Sequence, residues 1–139
     1  MNMMRRLLGI DYGSKRIGIA VSDPLRIIAQ GISVIINSSK AIEQIKNIIQ
    51  EYDPEKIIVG MPLNLKGEKG AKAQEVEKFI AKLKSELMID VIFLDERFTS
   101  KIAQQTLRDM NVKKKIRQTK GNLDAMSAAL ILQSYLDSH

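Results

Sequence analysis

The chain has no cysteine, no tryptophan, only three prolines in 139 residues, and a single histidine at its last position. Without cysteine there are no disulfides, no thiolate metal sites and no cysteine nucleophile. With its histidine at the frayed end of the chain, it has no Ser-His-Asp relay, no imidazole base and no histidine-rich zinc site. Aromatic residues make up 4% and do not cluster, which argues against a single-strand binder that stacks bases on exposed rings. The first apolar stretch spans only residues 7–10 before Asp11 interrupts it. That is too short for a signal segment or a membrane span, so a cytoplasmic location and no membrane partner are expected. Residues 9–15, GIDYGSK, hold the letters of a phosphate loop but not its order, and no G-x-G-x-x-G occurs. Chemistry in this chain therefore falls to carboxylates, hydroxyls, lysine and arginine.

What is present is ordinary for a soluble globular protein: 45% hydrophobic and 27% charged residues. The length suits one domain with a real core, and residues 1–139 are read as a single domain. The net charge of +6 is concentrated. Five of the six net positive charges fall in residues 113–120, as Lys113, Lys114, Lys115, Arg117 and Lys120 with no acid among them. Such a run is either a solvated basic loop or a phosphate-contacting segment.

Hydrophobic periodicity predicts strands over residues 6–11, 16–22 and 31–36, the first two joined by a turn centred on Gly13. A helix capped by Ser38 or Ser39 is predicted to reach Tyr52, with Ile42, Ile45, Ile48 and Ile49 as its apolar stripe and Asp53-Pro54 as its stop. Residues 56–60 form a short apolar strand of the doubly buried kind. Residues 61–69 are a loop, residues 70–87 a second helix, and residues 90–94 the last strand. Two more helices follow, over residues 99–110 and 123–136. The order βββαβαβαα predicts an α/β fold with a mixed sheet covered by helices.

Three acids share a position in that scheme. Asp11 ends the first strand, Glu96 follows the last, and Asp124 falls in the first turn of the last helix. Sites in open α/β sheets gather beyond the carboxyl ends of parallel strands. If the strands of Asp11 and Glu96 flank the strand over residues 56–60, their ends lie two strand spacings apart, roughly 9–10 Å. A glutamate side chain could narrow that gap, and Gly60 at the end of the middle strand would leave room for an ion. Hard cations such as Mg²⁺ or Mn²⁺ prefer such oxygen ligands, and two of them can activate a water and stabilise a leaving oxygen in phosphodiester cleavage. Each acid also has a plainer reading: Asp11 as a turn aspartate, Asp124 as a partner of the helix dipole, Glu96 as the partner of Arg97. Residues 60–64 (GMPLN), with Gly67, lie at the same sheet edge, so Asn64 is a candidate substrate contact. Ser127 shares a helix face with Asp124, either to position a ligand or as a buried packing serine.

Four segments, LGIDYGSKRIGIAVSD (residues 8–23), IIVGMPLNLKG (57–67), FLDERFTS (93–100) and LDAMSAALILQSYL (123–136), together resemble the YqgF family. It is also called the RuvX or Holliday-junction-resolvase-like family, and its members are described as pre-16S rRNA nucleases. The resemblance spans nearly the whole chain. It implies a ribonuclease-H-like fold with a five-stranded mixed sheet in the order 3-2-1-4-5, strand 2 antiparallel, and helices on both faces. It implies an endonuclease that processes the 5′ end of precursor 16S rRNA, with Asp11, Glu96 and Asp124 as the catalytic and metal-binding acids. Arg16 and Arg97 fall on family basic positions, and with Asn64 and the run from Lys113 to Lys120 they form the expected nucleic-acid contacts. Precursor rRNA is the expected partner, with ribosomal particles and branched DNA as further candidates, and the chain is expected to be a monomer or weak homodimer. Resolvases of the same fold carry four carboxylates, one of them on the fourth strand. Residues 57–60 here hold no acid, and the last helix offers Asp124 and Ser127 where a resolvase offers two aspartates, which favours RNA processing. Junction cleavage, a non-catalytic nucleic-acid-binding module, and an actin-like ATPase suggested by residues 10–14 (IDYGS) are the competing readings. The ATPase needs two such domains to enclose its nucleotide.

Overall fold

A computed structural model describes residues 4–64, 66–96 and 120–139. The aliphatic start of the chain forms β1 (Leu7–Tyr12), which turns at Gly13 into β2 (Arg16–Ser22) and continues to β3 (Ala29–Ile36). These three make an antiparallel meander. Helix α1 (Ala41–Tyr52) then carries the chain across to β4 (Lys56–Met61), and α2 (Ala71–Glu86) carries it to β5 (Asp90–Asp95). Both crossovers deliver parallel strands: β4 pairs with β1 and β5 with β4. The last described helix, α3, spans Lys120–Ser138. The sheet order is β3-β2-β1-β4-β5, with β2 antiparallel to the other four, as expected for a ribonuclease-H-like fold. Among the described residues no helix is long and apolar enough to cross a membrane.

Strand alternation divides the core in two. Leu8, Ile10, Ile17, Ile19, Val21, Ile57 and Val59 face α1 and α2, where Ile42, Ile45, Val76, Phe79 and Leu83 meet them. The opposite face is paved with smaller residues. Leu7, Ala20, Ala29 and Ile58 pack against Ala128, Ala129, Ile131 and Leu132 of α3. Here the sheet also presents Gly9, Gly18 and Gly31, and α3 lies almost on its backbone. A Cβ at Gly31 would stand 2.8 Å from the Ala125 carbonyl oxygen, and one at Gly18 would fall on the carbonyl oxygen of Asp124 itself. The close approach of helix to sheet thus depends on missing side chains, and it fixes the height of Asp124 above β2.

Several boundaries shift by one residue from the sequence expectation, and three differences go further. First, β3 begins at Ala29, two residues early, because Gln133 of α3 accepts the Ala29 N–H at 2.8 Å and donates to the Ile27 carbonyl at 3.1 Å. Second, α1 is not capped by a serine. Lys40 holds the N-cap position without a side-chain bond, while the Ser38 hydroxyl accepts the Lys40 N–H one turn earlier. Third, α3 begins at Lys120 rather than Leu123. Lys120 is therefore the first residue of a helix instead of the end of a loop, and Asp124 lies beyond the first turn. The helix-dipole explanation for Asp124 is removed, since that effect fades within one turn.

Gly18→Ala should cost about 1–3 kcal/mol in denaturant unfolding, because neither the strand nor the helix backbone can yield cheaply. Gly70→Ala, at a position with nothing within 4 Å of the added carbon, should cost under about 1 kcal/mol. Equal costs at the two positions would contradict the close-packed helix seat.

Candidate active site

The strands of Asp11 and Glu96 do flank β4, and their carboxyl ends meet at one edge of the sheet. Gly60 pairs with Leu94 and Met61 with Asp95, so Glu96 emerges one step beyond the end of the paired strands. Its side chain folds back over the middle strand. A Cβ on Gly60 would collide with the Glu96 carboxylate and stand 2.6 Å from Cδ1 of Ile131. The missing side chain is what lets Glu96 turn inward toward Asp11, so the space expected to admit an ion receives the Glu96 carboxylate instead.

Electrostatics shows that the two acids share one environment. Burial holds the Asp11 carboxyl above the ordinary carboxylate range, the Lys72 ammonium pulls part of that back, and the Asp124 charge adds to the rise. Glu96 is raised first by burial and next by the charge of Asp11, with Lys72 again offsetting and Asp95 adding. Asp11 and Glu96 are therefore a partly desolvated pair of like charges.

Asp124 stands close enough to act on Asp11, yet its Oδ2 accepts a 2.7 Å hydrogen bond from Arg16 Nε. Among the described residues no three acidic or histidine side chains gather tightly enough to ring one ion. Asp11 and Glu96 stand as a pair, and the Asp124 carboxylate is turned toward a guanidinium at its side. Arg16, expected to hold nucleic acid, is engaged by that acid. Both groups are partly exposed, and such surface pairs contribute roughly 0–1 kcal/mol, so the contact matters more for orientation than for stability.

The remaining expected contacts fall as follows. Asn64 is occupied within its own loop: its Oδ1 accepts the N–H groups of Lys66 at 2.9 Å and Glu68 at 2.8 Å, and its Nδ2 donates to Glu68 Oε1 at 3.3 Å. Together with the bridge between Leu63 and Lys69, this closes residues 63–69 into a small clasp. Asn64 shapes the loop while remaining exposed. Ser127 is exposed, not packed inside the core. Arg97, Lys113, Lys114, Lys115 and Arg117 lie outside the described residues. Sequence reasoning missed Lys72, the second residue of α2. One signal was available: a lysine in the first turn of a helix faces the positive end of the dipole and is unfavourable there unless acids stand nearby.

The donor chemistry fits a hard divalent cation. Among the described residues the strong ligands here are carboxylate oxygens, the Asp11 and Glu96 carboxyls are partly desolvated, and the missing side chain at Gly60 lets the Glu96 carboxylate lie over the middle strand. Fold and site together define a ribonuclease-H-like α/β protein with partly buried acids at the carboxyl edge of its parallel strands. The chain belongs to the RuvX family, whose model, described as "Holliday junction resolvase", matches residues 5–138. It is 46% identical over 136 residues to a protein of Sulfurihydrogenibium sp. (strain YO3AOP1) named "Putative pre-16S rRNA nuclease", covering 96% of this chain and 91% of that one. A protein of Ruminiclostridium cellulolyticum bearing the same name is 42% identical over 135 residues, covering 95% and 94%. Among solved structures, Thermus thermophilus RuvC superposes with a TM-score of 0.60 at 15% identity, covering 96% of both chains. The same protein in complex with a Holliday junction gives a TM-score of 0.57 at 16% identity, again over 96% of both. At that identity the likeness is one of fold.

The raised carboxyls have a consequence for stability. Both bind protons more tightly in the folded chain than in the unfolded one. Their cost to the fold is full above the folded values and vanishes as pH drops below the unfolded values. Without divalent ions at pH 7, Asp11→Asn should therefore melt above the parent by about 2–6 °C, with the gain fading toward about pH 3.5. A lower melting temperature at pH 7 would show that Asp11 is a structural residue.

Proposed function

We propose that this protein is a divalent-metal-dependent endonuclease, one domain over residues 1–139, that processes the 5′ end of precursor 16S rRNA in the cytoplasm. The observation that carries the reading is the desolvated Asp11–Glu96 pair over Gly60 at the carboxyl edge of the sheet. The names of full-length relatives at 46% and 42% identity supply the substrate class.

In this reading Asp11 and Glu96 hold Mg²⁺ or Mn²⁺, and Asp124 completes the ligand set once Arg16 releases it. Bound there, the cation would activate water and stabilise the leaving oxygen. The chain's own residues do the rest. Asp11, fixed on a central strand, and Glu96, seated in the space Gly60 leaves, set two of the ligand positions in advance. Arg16, released from Asp124, becomes available to a backbone phosphate. Arg97 and the run Lys113, Lys114, Lys115, Arg117 and Lys120 lie in sequence next to Glu96 and Asp124 and would hold the flanking strand by phosphate contacts, which carry no base information. Residues 57–60 contribute no fourth carboxylate. One observation favours a second reading, junction cleavage: the description of the family model itself.

Incubation with precursor 16S rRNA, mature rRNA and a four-way DNA junction, in Mg²⁺ or Mn²⁺, separates the two when every new end is mapped. We expect new 5′ ends in the precursor only, and a loss of at least about a hundredfold in Asp11→Asn. Cleavage of the junction alone would select the second reading, and full activity in a folded Asp11→Asn protein would end both.

A further inference from the structure

The carboxyl end of β1 serves both faces of the sheet. Successive strand residues point to opposite sides. Asp11 therefore lies on the α3 side with Glu96, while Tyr12 packs with the core on the α1 and α2 side. Beside Tyr12 the two helices leave a cavity of about 240 Å³. Two of its lining rings, Tyr12 and Phe79, meet at a centroid distance of 4.5 Å, with Phe79 buried and Tyr12 partly exposed. Lys78 and Lys82, one turn apart on α2, line it as well, and both are exposed. Neither forms an ion pair among the described residues. Asn37 stands on the side toward β3 and α1. Its Nδ2 donates to the Gly13 carbonyl at 2.8 Å and its N–H to the Lys15 carbonyl at 2.9 Å, which ties this wall to the turn that follows Asp11 and Tyr12. Glu75 is the one acid among the described residues that line the cavity.

We propose that this groove seats one nucleotide of single-stranded RNA beside the scissile bond, its phosphate on Lys78 and Lys82 and its sugar and base against Tyr12. This rests on the reading of Asp11 and Glu96 as the cleavage site. The charge suits a polyanion, with two lysines set against one acid. The size suits one residue of a polymer. Pockets that enclose whole drug-sized molecules run to roughly 300–1,000 Å³, and this groove is smaller. Contiguity supplies the third argument. Tyr12 follows Asp11 directly, so their Cα atoms stand about 3.8 Å apart. A strand cleaved at Asp11 brings an adjoining nucleotide to the groove by crossing the rim of the sheet. Such a bend excludes a stiff duplex and selects a single strand, whose bases can splay onto an aromatic ring. One partly exposed ring serves one base, and a longer stack would need the aromatic cluster that this chain lacks.

Titration of a short fluorescent single-stranded RNA in EDTA tests the groove apart from the metal site. Lys78→Ala combined with Lys82→Ala should weaken binding about 10-fold and make the log–log salt slope shallower by about 0.7 per lost contact. Glu75→Gln should act in the opposite direction and tighten binding about 2- to 3-fold, since a repelling charge has gone. Tyr12→Leu should weaken binding about 5-fold and leave the salt slope alone, because stacking releases no counterions. Lys46→Ala combined with Lys84→Ala removes the same charge from exposed positions of α1 and α2 outside the groove, and should stay within about 2-fold of the parent. Equal losses in the two lysine pairs overturn the proposal. So does a parent-like affinity and slope in the Lys78 and Lys82 variant. A nucleoside monophosphate that binds as tightly as the RNA, with the same dependence on Lys78 and Lys82, also overturns it, since the groove would then hold a free nucleotide. If the groove variants match the parent while the parent still cleaves precursor rRNA, the groove falls alone. A parent protein that neither binds nor cleaves RNA takes the cleavage reading down with it.

Discussion

The close seat of α3 on the sheet is the constraint from which the site follows. A helix can approach a strand this nearly only where the strand lacks side chains, and Gly18 lies directly beneath the Asp124 carbonyl. The small residues that permit this, among them Ala20 and Ala29, would make a poor core by themselves. Their value is positional. They bring the one acid of α3 that faces the cleft down to the level of β1 and β2, where Asp11 and Arg16 stand. Gly60 repeats the device on the neighbouring strand, this time for a side chain: the space it leaves receives the Glu96 carboxylate and Ile131 of the same helix. Omitted Cβ atoms thus place two of the three acids, Asp124 through α3 and Glu96 over Gly60.

The electrostatic consequence is a site that is costly when metal-free and eased by cations. Burial and mutual repulsion work against ionising Asp11 and Glu96 together. Two basic side chains bear on these acids: the Lys72 charge offsets part of the rise at Asp11 and Glu96, and Arg16 is bonded to Asp124. Neither is part of the hydrophobic core. A protein built for stability alone would have had no reason to desolvate two acids at a sheet edge. A site that must attract a divalent ion and then a polyanion needs that arrangement, because the fixed charges do not have to reorganise when the partners arrive.

Much of this was legible in the chain. The alternation of residues 16–22 and the apolar run at residues 57–60 announced a mixed sheet, and Asp11 and Glu96 could be placed at one edge of it. Gly60 was read as room for an ion, whereas the Glu96 carboxylate and Ile131 take the space it leaves. What stayed hidden depends on contacts between residues far apart in sequence. Gln133 extends β3 back to Ala29 from 104 residues away, which no local pattern encodes. The predicted helix over residues 123–136 left out Gly121 and Asn122, both weak helix formers, yet α3 runs through them. The bond between Arg16 and Asp124 joins residues 108 apart. The Asn64 side chain also does the local work that asparagine does in tight loops, which its reading as a candidate substrate contact did not include. Lys72 left a faint trace, a charge of the wrong sign for its place on a helix, and that trace carries meaning only once the acids opposite are known.

The central claim is that one divalent ion site is held between β1, the end of β5 and α3 over Gly60. Paramagnetic broadening by substoichiometric Mn²⁺ in backbone amide spectra of the full chain tests it most directly. The account predicts that the earliest signals to vanish are those of Asp11, Gly60, Glu96 and Asp124, with the far end of α1 and the middle of β3 unaffected. Broadening centred elsewhere, such as the groove between α1 and α2 lined by Tyr12, Lys78 and Lys82, or no selective broadening at all, would contradict it.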